Sequence, residues 1–323
     1  MDDSILNSRK SALLFRLGGL GDLLVAFPSI YLLRKNLSPC SLTLVCREEY
    51  GLLLKETGVV DKIVSADQKK LAPLFTSRPY SQELPLWLSE FSLILGWMQK
   101  ESSLNVRELC SSLGRKRCHF FIHDPDYPGQ ISKSFFENTL EFLAEEGGPN
   151  PAFRQCTILP SSSRRKRDGL GLLGEEALKK GVKVAVVHPG SGSRSKCWPL
   201  DNFMEIVHLL SHRGYRGALV TGMAEIELED RLKKITLPNG WVWLQNPPLL
   251  KLSGLLSAAN FYFGNDSGIT HLAAACGTEV IALFRKDLKD AWKPYGHVAV
   301  LSGESVSDIK PDSVWEIIAR NGV

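Results

Sequence analysis

Residues 261–277 restrict the fold of this chain more than any other stretch. Three aromatic residues open it, which is typical of a buried strand, and a polar turn over residues 264–268 follows. Apolar side chains then recur at the spacing of one helical face: Ile269, Leu272, Ala273 and Cys276. Either Asp266 or Ser267 is a suitable N-cap for this helix, and Gly277 is a suitable C-terminal stop. The stretch therefore predicts a strand that runs through a tight turn into a helix.

A turn of this kind aims several free backbone N–H groups, and the positive end of the helix dipole, at one point. An anion can bind there, and phosphate suits the site best. The plainer interpretation is an ordinary strand-to-helix connection of an α/β protein. Both interpretations fit the turn taken alone, and the rest of the chain has to separate them.

Strand-like runs alternate with helical segments along the whole chain. The runs lie at residues 11–17, 41–47, 62–64, 91–97 and 118–122 in the first half, and at residues 182–188, 217–221, 241–245, 261–263, 279–284 and 297–301 in the second. Helical patterns separate them, for example at residues 23–35, 104–113 and 131–145. This alternation favours βα units and parallel sheets. The predicted fold class is α/β, with doubly wound, Rossmann-like domains.

The length of the chain, 323 residues, fits two domains of roughly 150 residues each. Residues 147–168 combine a Gly- and Pro-rich segment with a serine run and four consecutive basic residues, which indicates a boundary and a linker. We therefore predict domains at residues 1–160 and 161–323. A last helix at about residues 312–320 has the option of packing back on the first domain. Two such domains in tandem place a ligand crevice at the carboxyl ends of both sheets, in a cleft between the domains.

Composition excludes several classes of protein. With 44% hydrophobic and 23% charged residues the chain is typical of a soluble globular protein. A net charge of +4 suits a polyanionic ligand or an anionic membrane surface, and no nucleic-acid-binding motif is present. The seven cysteines include no C-x-x-C pair, which favours reduced thiols. The first ten residues are polar and no apolar run reaches 18 residues, so we expect a cytoplasmic protein.

A second glycine-rich turn follows the first predicted strand. Gly18, Gly19 and Gly21 allow a ligand to approach the backbone closely, because glycine has no Cβ. The turn is not a dinucleotide fingerprint, since Leu24 stands where the third glycine belongs. Asp22, at the start of the next helix, is either an N-cap or a general base for an incoming hydroxyl group.

A third turn, over residues 189–199, follows the first strand of the second half. It carries the hydroxyl groups of Ser191, Ser193 and Ser195 together with the cations Arg194 and Lys196. Hydroxyls, backbone amides and cations form a suitable set for a diphosphate. The plainer interpretation of Lys196 is an exposed loop lysine.

Three motifs together resemble those of glycosyltransferase family 9, the heptosyltransferases of lipopolysaccharide core assembly. They are residues 16–22 (RLGGLGD) with Pro28, residues 188–190 (HPG) with 196–199 (KCWP), and residues 265–274 (NDSGITHLAA). Their order agrees with the family over roughly residues 11–302. The resemblance implies the GT-B fold, in which the first domain binds the acceptor and the second binds a nucleotide-sugar. It also implies inverting transfer of a sugar, heptose from ADP-heptose in the typical case, to a lipid-linked saccharide, without a metal ion or cofactor.

The resemblance also implies roles for single residues. Asp22 corresponds to the catalytic base, and Lys196 to the cation that stabilises the diphosphate leaving group. The backbone amides of Ser267, Gly268 and Ile269 correspond to phosphate contacts, and Asp266 to a contact with the transferred sugar. Ser191 and Ser193 of the loop also belong to the donor side. Either Glu225 or its competitor Glu227 corresponds to the acid that holds the ribose hydroxyl groups. His271 either lies near the nucleotide or is a buried histidine with a structural role. Gly18, Gly19 and Gly21 fall on the acceptor side.

Departures from the family pattern keep other functions open. The glycine-rich turn at residues 18–22, and a loop at residues 189–196 that is one residue shorter than in the known heptosyltransferases, leave the acceptor and the exact donor sugar undetermined. The rivals are a sugar-nucleotide-binding protein without activity, a nicotinamide-dependent oxidoreductase, and a sugar-nucleotide epimerase of the same fold. Peripheral contact with the inner membrane is compatible with the basic residues Arg34, Lys35, Arg115, Lys116 and Arg117, although a solvated surface is the favoured interpretation of each.

Overall fold

The computed structural model describes residues 11–37, 40–75, 83–98, 118–122, 129–145 and 157–320, with the single residues 108 and 152. The chain divides into two compact units, Met1–Thr157 and Ile158–Val323.

The first unit contains a parallel sheet whose described strands are β1 (Ser11–Phe15), β2 (Ser41–Cys46), β3 (Lys62–Ser65), β4 (Leu93–Trp97) and β5 (Cys118–Phe121), in the order β3-β2-β1-β4-β5. Its helices are α1 (Leu20–Asn36), α2 (Glu48–Glu56), α3 (Glu83–Ser89) and α4 (Ile131–Ala144), with a 3-10 helix at Lys69–Phe75. The strand order reverses between β1 and β4. Ligands of open α/β sheets bind at such a switch point, beyond the carboxyl ends of the strands.

The second unit contains a parallel sheet of β6 (Lys183–His188), β7 (Tyr215–Thr221), β8 (Trp241–Gln245), β9 (Phe261–Asn265), β10 (Glu279–Arg285) and β11 (Val298–Gly303), in the order β11-β10-β9-β6-β7-β8. Its α-helices are α5 (Ser163–Leu170), α6 (Leu200–His212), α7 (Glu229–Leu232), α8 (Leu249–Ala258), α9 (Gly268–Ala275), α10 (Lys289–Trp292) and α11 (Pro311–Arg320). Short 3-10 helices lie at Gly171–Leu173, Glu175–Leu178, Arg194–Lys196, Met223–Leu228 and Val306–Asp308. The switch point of this sheet lies between β6 and β9.

The central strands are buried along almost their whole length. Residues 12–15 of β1 and 184–188 of β6 are buried without alternation, as parallel strands are when both faces of the sheet are covered. In the second unit the aromatic rings of Trp198, Phe203 and Phe263 pack against one another beside the sheet, with centroids 4.9–5.7 Å apart. Burial of these large apolar groups is the main favourable contribution to folding.

The predicted α/β fold with two Rossmann-like domains is confirmed, while the cleft between them stays a prediction. The strands lie within about two residues of their predicted bounds. The predicted helix at residues 104–113 falls outside the described residues, apart from residue 108. Val314 and Ile318 of α11 belong to the hydrophobic core of the second unit, so the last helix has its buried side there.

The prediction of a linker up to residue 168 is wrong in its last part. The basic run lies on helix α5, which the hydroxyl of Ser162 caps by accepting a hydrogen bond from the backbone N–H of Arg165 (3.2 Å). The sequence RRKRD has no apolar stripe, and it forms a helix because α5 packs closely against α8.

Two glycines allow α5 and α8 to approach each other. A Cβ atom on Gly169 would overlap the backbone of Gly254 and Leu255, and one on Gly254 would overlap the carbonyl oxygen of Arg165. The helix backbones are therefore in contact at this crossing, and only glycine fits at either position.

We expect Gly169→Ala to lower the free energy of unfolding by about 1–3 kcal/mol, because a methyl group forced into a packed contact displaces backbone. Gly171→Ala is the matched control: it lies two residues away, has helical dihedral angles, and has no atom within 4 Å of its Cβ position. Chemical denaturation of both variants measures the difference. Equal stability of the two would contradict the close crossing.

Candidate active site

Two loops meet at the switch point of the second sheet. Strands β6 and β9 are neighbours, with Val187 opposite Phe263 and His188 opposite Gly264. The loop after β6 carries Ser191 and Lys196, and the turn after β9 carries Asp266 and Ser267. The parallel register brings both connections to the same edge of the sheet, so the predicted turns at residues 189–199 and 264–268 lie side by side.

Asn265 joins these two connections. Its side chain is fully buried, and its Nδ2 donates a hydrogen bond to the carbonyl oxygen of Pro189 (2.8 Å). Its Oδ1 accepts a hydrogen bond from the backbone N–H of Trp198 (3.1 Å). One amide at the end of β9 therefore fixes both ends of the loop after β6, which we call the donor loop (residues 189–198).

Helix α9 begins directly after this turn. Ser267 is its N-cap, and its Oγ accepts a hydrogen bond from the backbone N–H of Thr270 (3.3 Å), which settles the choice between Asp266 and Ser267. The Thr270 hydroxyl also contacts the buried hydroxyl of Tyr262 (2.9 Å). The backbone N–H groups of Gly268 and Ile269 occupy the first two positions of the helix, where an α-helix offers them no internal partner. They point from the helix N-terminus, as an anion site requires.

Asp266 and Lys196 form an ion pair beside this helix terminus. The distance from Lys196 Nζ to Asp266 Oδ2 is 2.7 Å, and the side chains are 30% and 7% exposed. Ser191, which is buried, donates a hydrogen bond from its Oγ to the backbone carbonyl oxygen of Asp266 (2.6 Å). Lys196 is therefore held at the site and is not a freely solvated loop lysine.

The rest of the donor loop is more open. The hydroxyls of Ser193 and Ser195 contact each other at 3.0 Å and are exposed. Arg194 and Glu227 form an ion pair in which both side chains are largely exposed. Ser193 and Glu227 thus lie at the solvent side of the loop.

Glu225 lies deeper than its competitor Glu227. It is buried, and its Oε2 accepts a hydrogen bond from the backbone N–H of Gly222 (2.6 Å) after strand β7. Its carboxyl group lies directly over Gly190, where a Cβ atom would overlap it. This contact brings Glu225 to the donor loop, while Glu227 is engaged by Arg194.

His188, at the end of β6, is buried beside Glu225. Its Nδ1 lies 2.9 Å from the carbonyl oxygen of Val220. Burial lowers the pKa of the imidazole, although the charge of Glu225 and the hydrogen bond to Val220 act in the opposite direction. The imidazole ring of His188 is therefore neutral, although the carboxylate of Glu225 is nearby.

His271 is also buried, with 4% of its surface exposed, and its backbone N–H bonds to the carbonyl oxygen of Ser267 (3.3 Å). This burial agrees with the structural alternative, and a contact with the nucleotide stays a prediction. In the described part of the chain, no three His, Cys, Asp or Glu side chains are grouped in the manner of a metal site.

The glycine-rich turn at residues 18–22 lies at the switch point of the first sheet. Gly18 has a φ of 108°, which favours glycine, and Gly19 precedes helix α1. The Oδ2 atom of Asp22 accepts a hydrogen bond from the backbone N–H of Gly19 (2.9 Å), so Asp22 caps the helix. The guanidinium group of Arg16 lies 3.0 Å from Asp22 Oδ1. A Cβ atom on Gly18 would lie 2.6 Å from the Asp22 carboxylate, so glycine is required there too.

Comparison with known proteins points to one family. A family model described as glycosyltransferase family 9 (heptosyltransferase) matches residues 134–312. The chain is 30% identical over 307 residues to lipopolysaccharide heptosyltransferase 3 of Escherichia coli (strain K12), and the match covers 85% of this chain and 82% of that protein.

Solved structures show the same fold. A glycosyl transferase of family 9 from Veillonella parvula DSM 2008 superposes with a TM-score of 0.77 at 15% identity, covering 97% of each chain. The ADP-heptose lps heptosyltransferase II of E. coli superposes with a TM-score of 0.72 at 17% identity, covering 96% of this chain and 98% of that one.

The two parallel-sheet units and the three turns define a glycosyltransferase of the GT-B fold. The chain belongs to glycosyltransferase family 9, whose members include heptosyltransferases of lipopolysaccharide biosynthesis.

Sequence reasoning missed three residues that shape the site. Asn265, Gly190 and Arg16 each belong to one of the three motifs, and the motifs alone predict no separate role for them. The sequence indicates their roles only weakly, because each acts through a contact with a residue distant in the sequence or with a backbone atom. A polar residue at the last position of an apolar strand, as Asn265 is, was the one hint available.

The neutral His188 leads to a pH-dependent stability. In the unfolded chain the imidazole takes up a proton near its ordinary pKa of about 6.5, but the buried ring resists protonation. Below about pH 6.5 the unfolded state therefore binds more protons, and the free energy of unfolding falls as the pH decreases. We expect this fall to be shallower in His188→Asn, whose amide keeps a donor for Val220. Denaturation of both proteins between pH 7.5 and about 5 tests this, and equal slopes would contradict it.

Proposed function

We propose that this chain is an inverting heptosyltransferase that moves heptose from ADP-heptose to a lipid-linked saccharide of the lipopolysaccharide core type. The observation that carries the proposal is the Lys196–Asp266 ion pair beside the N-terminus of α9. A cation, two free backbone amides and an acid lie together there, as a diphosphate-linked sugar requires. One similar E. coli protein is named lipopolysaccharide heptosyltransferase 3, and another is named ADP-heptose lps heptosyltransferase II. These names support the choice of donor and acceptor.

On the donor side, the amides of Gly268 and Ile269 and the ammonium group of Lys196 bind the diphosphate. As the bond from the anomeric carbon to the phosphate oxygen breaks, negative charge grows on the diphosphate, and these groups stabilise it. Lys196 then supplies the positive charge in place of a metal ion. Asp266 orients Lys196 and contacts the sugar, and Ser191 fixes the carbonyl group of Asp266 beneath them.

Glu225 is our choice for the ribose hydroxyl groups. Its Oε2 is used by Gly222, which fixes the carboxylate and leaves further acceptor positions on it. Glu227 is already paired with Arg194 at the surface. A carboxylate that is held in place loses less freedom on binding than an exposed one, and this favours Glu225.

On the acceptor side, Asp22 removes the proton from the attacking hydroxyl group. The oxygen forms a bond to the anomeric carbon on the face opposite the leaving diphosphate, which inverts the configuration. Gly18, Gly19 and Gly21 leave the backbone open beside this carboxylate. The Asp22 side chain is 37% exposed, so an acceptor can reach it.

The acceptor brings the enzyme to the cytoplasmic face of the inner membrane in this proposal. Arg34 is engaged by Asp61 and Lys35 lies over the ring of Tyr31, while Arg115, Lys116 and Arg117 fall outside the described residues. The exposed Lys166 and Arg167 of helix α5 are better candidates for anionic lipid. No helix among the described residues has the length and apolar character needed to cross a bilayer.

Asp22→Asn is expected to lower turnover by about 10²- to 10⁴-fold, because an amide cannot accept the proton. Donor affinity should stay nearly unchanged, since the donor binds the second unit. Asp61→Asn is the matched control: Asp61 also accepts hydrogen bonds from an arginine, Arg34, and from a backbone N–H, that of Leu42. Wild-type turnover in Asp22→Asn would rule out Asp22 as the catalytic base.

Lys196→Met is expected to weaken ADP binding and to lower kcat by about 10²- to 10³-fold, because the leaving group loses its cation. It also leaves the nearly buried Asp266 without its partner, so the free energy of unfolding should fall by about 1–3 kcal/mol. Lys286→Met, which breaks the exposed pair with Glu304, is the control. Steady-state kinetics below the unfolding temperature separate the two effects, and unchanged kinetics would remove Lys196 from the site.

The donor is tested by thermal stabilisation with ADP-, UDP- and GDP-sugars. We expect ADP-heptose to stabilise the protein most, because a ligand that binds only the folded state adds to its stability. The stabilising donor is then incubated with the enzyme and with glycolipids from the source organism after deletion of this gene. These glycolipids contain the unmodified acceptor. Release of ADP with formation of a glycosylated lipid supports the proposal. Stabilisation without transfer would favour a binding protein, and an altered free sugar nucleotide would favour an epimerase.

A further inference from the structure

The guanidinium group of Arg16 makes three hydrogen bonds at the switch point of the first sheet. Its Nε donates to the backbone carbonyl oxygen of Asp22 (2.7 Å), one terminal nitrogen to Asp22 Oδ1 (3.0 Å), and the other to the carbonyl oxygen of Trp97 (3.0 Å). Arg16 follows β1, Asp22 lies in the first turn of α1, and Trp97 ends β4. One side chain thus ties together the two central strands and the helix that carries the acid.

The remaining contact of the Asp22 carboxylate completes its fixation. Oδ2 accepts a hydrogen bond from the backbone N–H of Gly19, while Oδ1 accepts one from Arg16. A carboxylate has about four acceptor positions, so two remain for an incoming group. Because both oxygens are held, these two positions point in fixed directions.

Arg16 is shielded from water. Its side chain is 11% exposed, and its guanidinium group lies over the ring of Phe135 at 5.6 Å from the centroid. Arginine in such a place is a rigid planar fork, whereas lysine offers a single point charge on a flexible stem. Three acceptors, two on Asp22 and one on Trp97, match the fork and do not match an ammonium group.

We propose that Arg16 is the positioning residue for the Asp22 carboxylate, and that it sets the direction from which the acceptor hydroxyl is deprotonated. This inference rests on the proposed function, in which Asp22 is the base. Arg16 does not touch the reacting atoms: it acts through Asp22. Loss of the fork leaves Asp22 on its helix cap, with one oxygen free to turn.

Arg34, in the last turn of the helix that carries Asp22, provides a matched control. Its Nε donates to the carbonyl oxygen of Val59 and a terminal nitrogen pairs with Asp61, so it has the same kind of fork at the other end of α1. A merely structural role of Arg16 predicts that the two arginines are equivalent: their variants would lose stability and keep their kinetic constants.

The kinetic test compares Arg16→Lys, Arg16→Ala and the two corresponding Arg34 variants, with ADP-heptose and glycolipids from host cells that lack this gene. We expect both Arg16 variants to lose about 100-fold in kcat with donor affinity within twofold of wild type, since displacement of a catalytic group by about 1 Å has that effect. Added guanidinium ion, at a concentration below that which unfolds the protein, should restore part of the kcat of Arg16→Ala only. The Arg34 variants should retain wild-type kcat. Wild-type kcat in Arg16→Lys, or an equal loss in the Arg34 variants, would overturn the inference.

A structural test is independent of activity. In a crystal structure of Arg16→Lys the Asp22 carboxylate should rotate away from its wild-type orientation, while that of Arg34→Lys should leave it unchanged. A carboxylate in its wild-type orientation in Arg16→Lys would overturn the inference. If the wild-type enzyme transfers no heptose, the proposed function fails, and the crystal structures still decide whether Arg16 orients Asp22.

Discussion

The proposed donor site depends on the buried amide of Asn265. An uncompensated amide in an apolar interior is costly, and Asn265 avoids this cost by bonding to Pro189 and Trp198, at the two ends of the donor loop. The loop can then place Ser191 and Lys196 against Asp266. The ion pair of Lys196 with Asp266 thus depends on a loop that is fixed at both ends.

The two units solve the same problem with different means. Each sheet reverses its strand order beside its first strand, and each places a glycine-rich connection and an acid there. In the second unit the acid, Asp266, is paired with lysine beside a helix N-terminus that lacks internal partners, which suits an anionic donor. In the first unit the acid, Asp22, is fixed by arginine and by its own helix, which suits directed removal of a proton. The electrostatic character of each site follows from the partner of its acid.

Most of the fold could be predicted from the sequence because hydrophobic periodicity and glycine positions are local signals. The strands of both sheets and the three turns were found this way, and burial along β1 and β6 explains why their apolar runs were so clear. Contacts between distant segments could not be predicted. Helix α5 forms from a run of basic residues because Gly169 meets Gly254, and Arg16 reaches Trp97 across 81 positions of the sequence. The sequence around Gly169 or Arg16 does not indicate these distant partners. The contact of Glu225 with Gly190 could not be predicted for the same reason.

In the proposed mechanism, the N-terminus of α9 and Lys196 bind the diphosphate of the donor. A crystal structure with ADP bound tests it most directly. We predict that oxygens of the β-phosphate accept hydrogen bonds from the amides of Gly268 and Ile269, with Lys196 Nζ moved from Asp266 to lie between the acid and the phosphate. A diphosphate bound elsewhere, with Lys196 still paired only to Asp266, would contradict this binding mode.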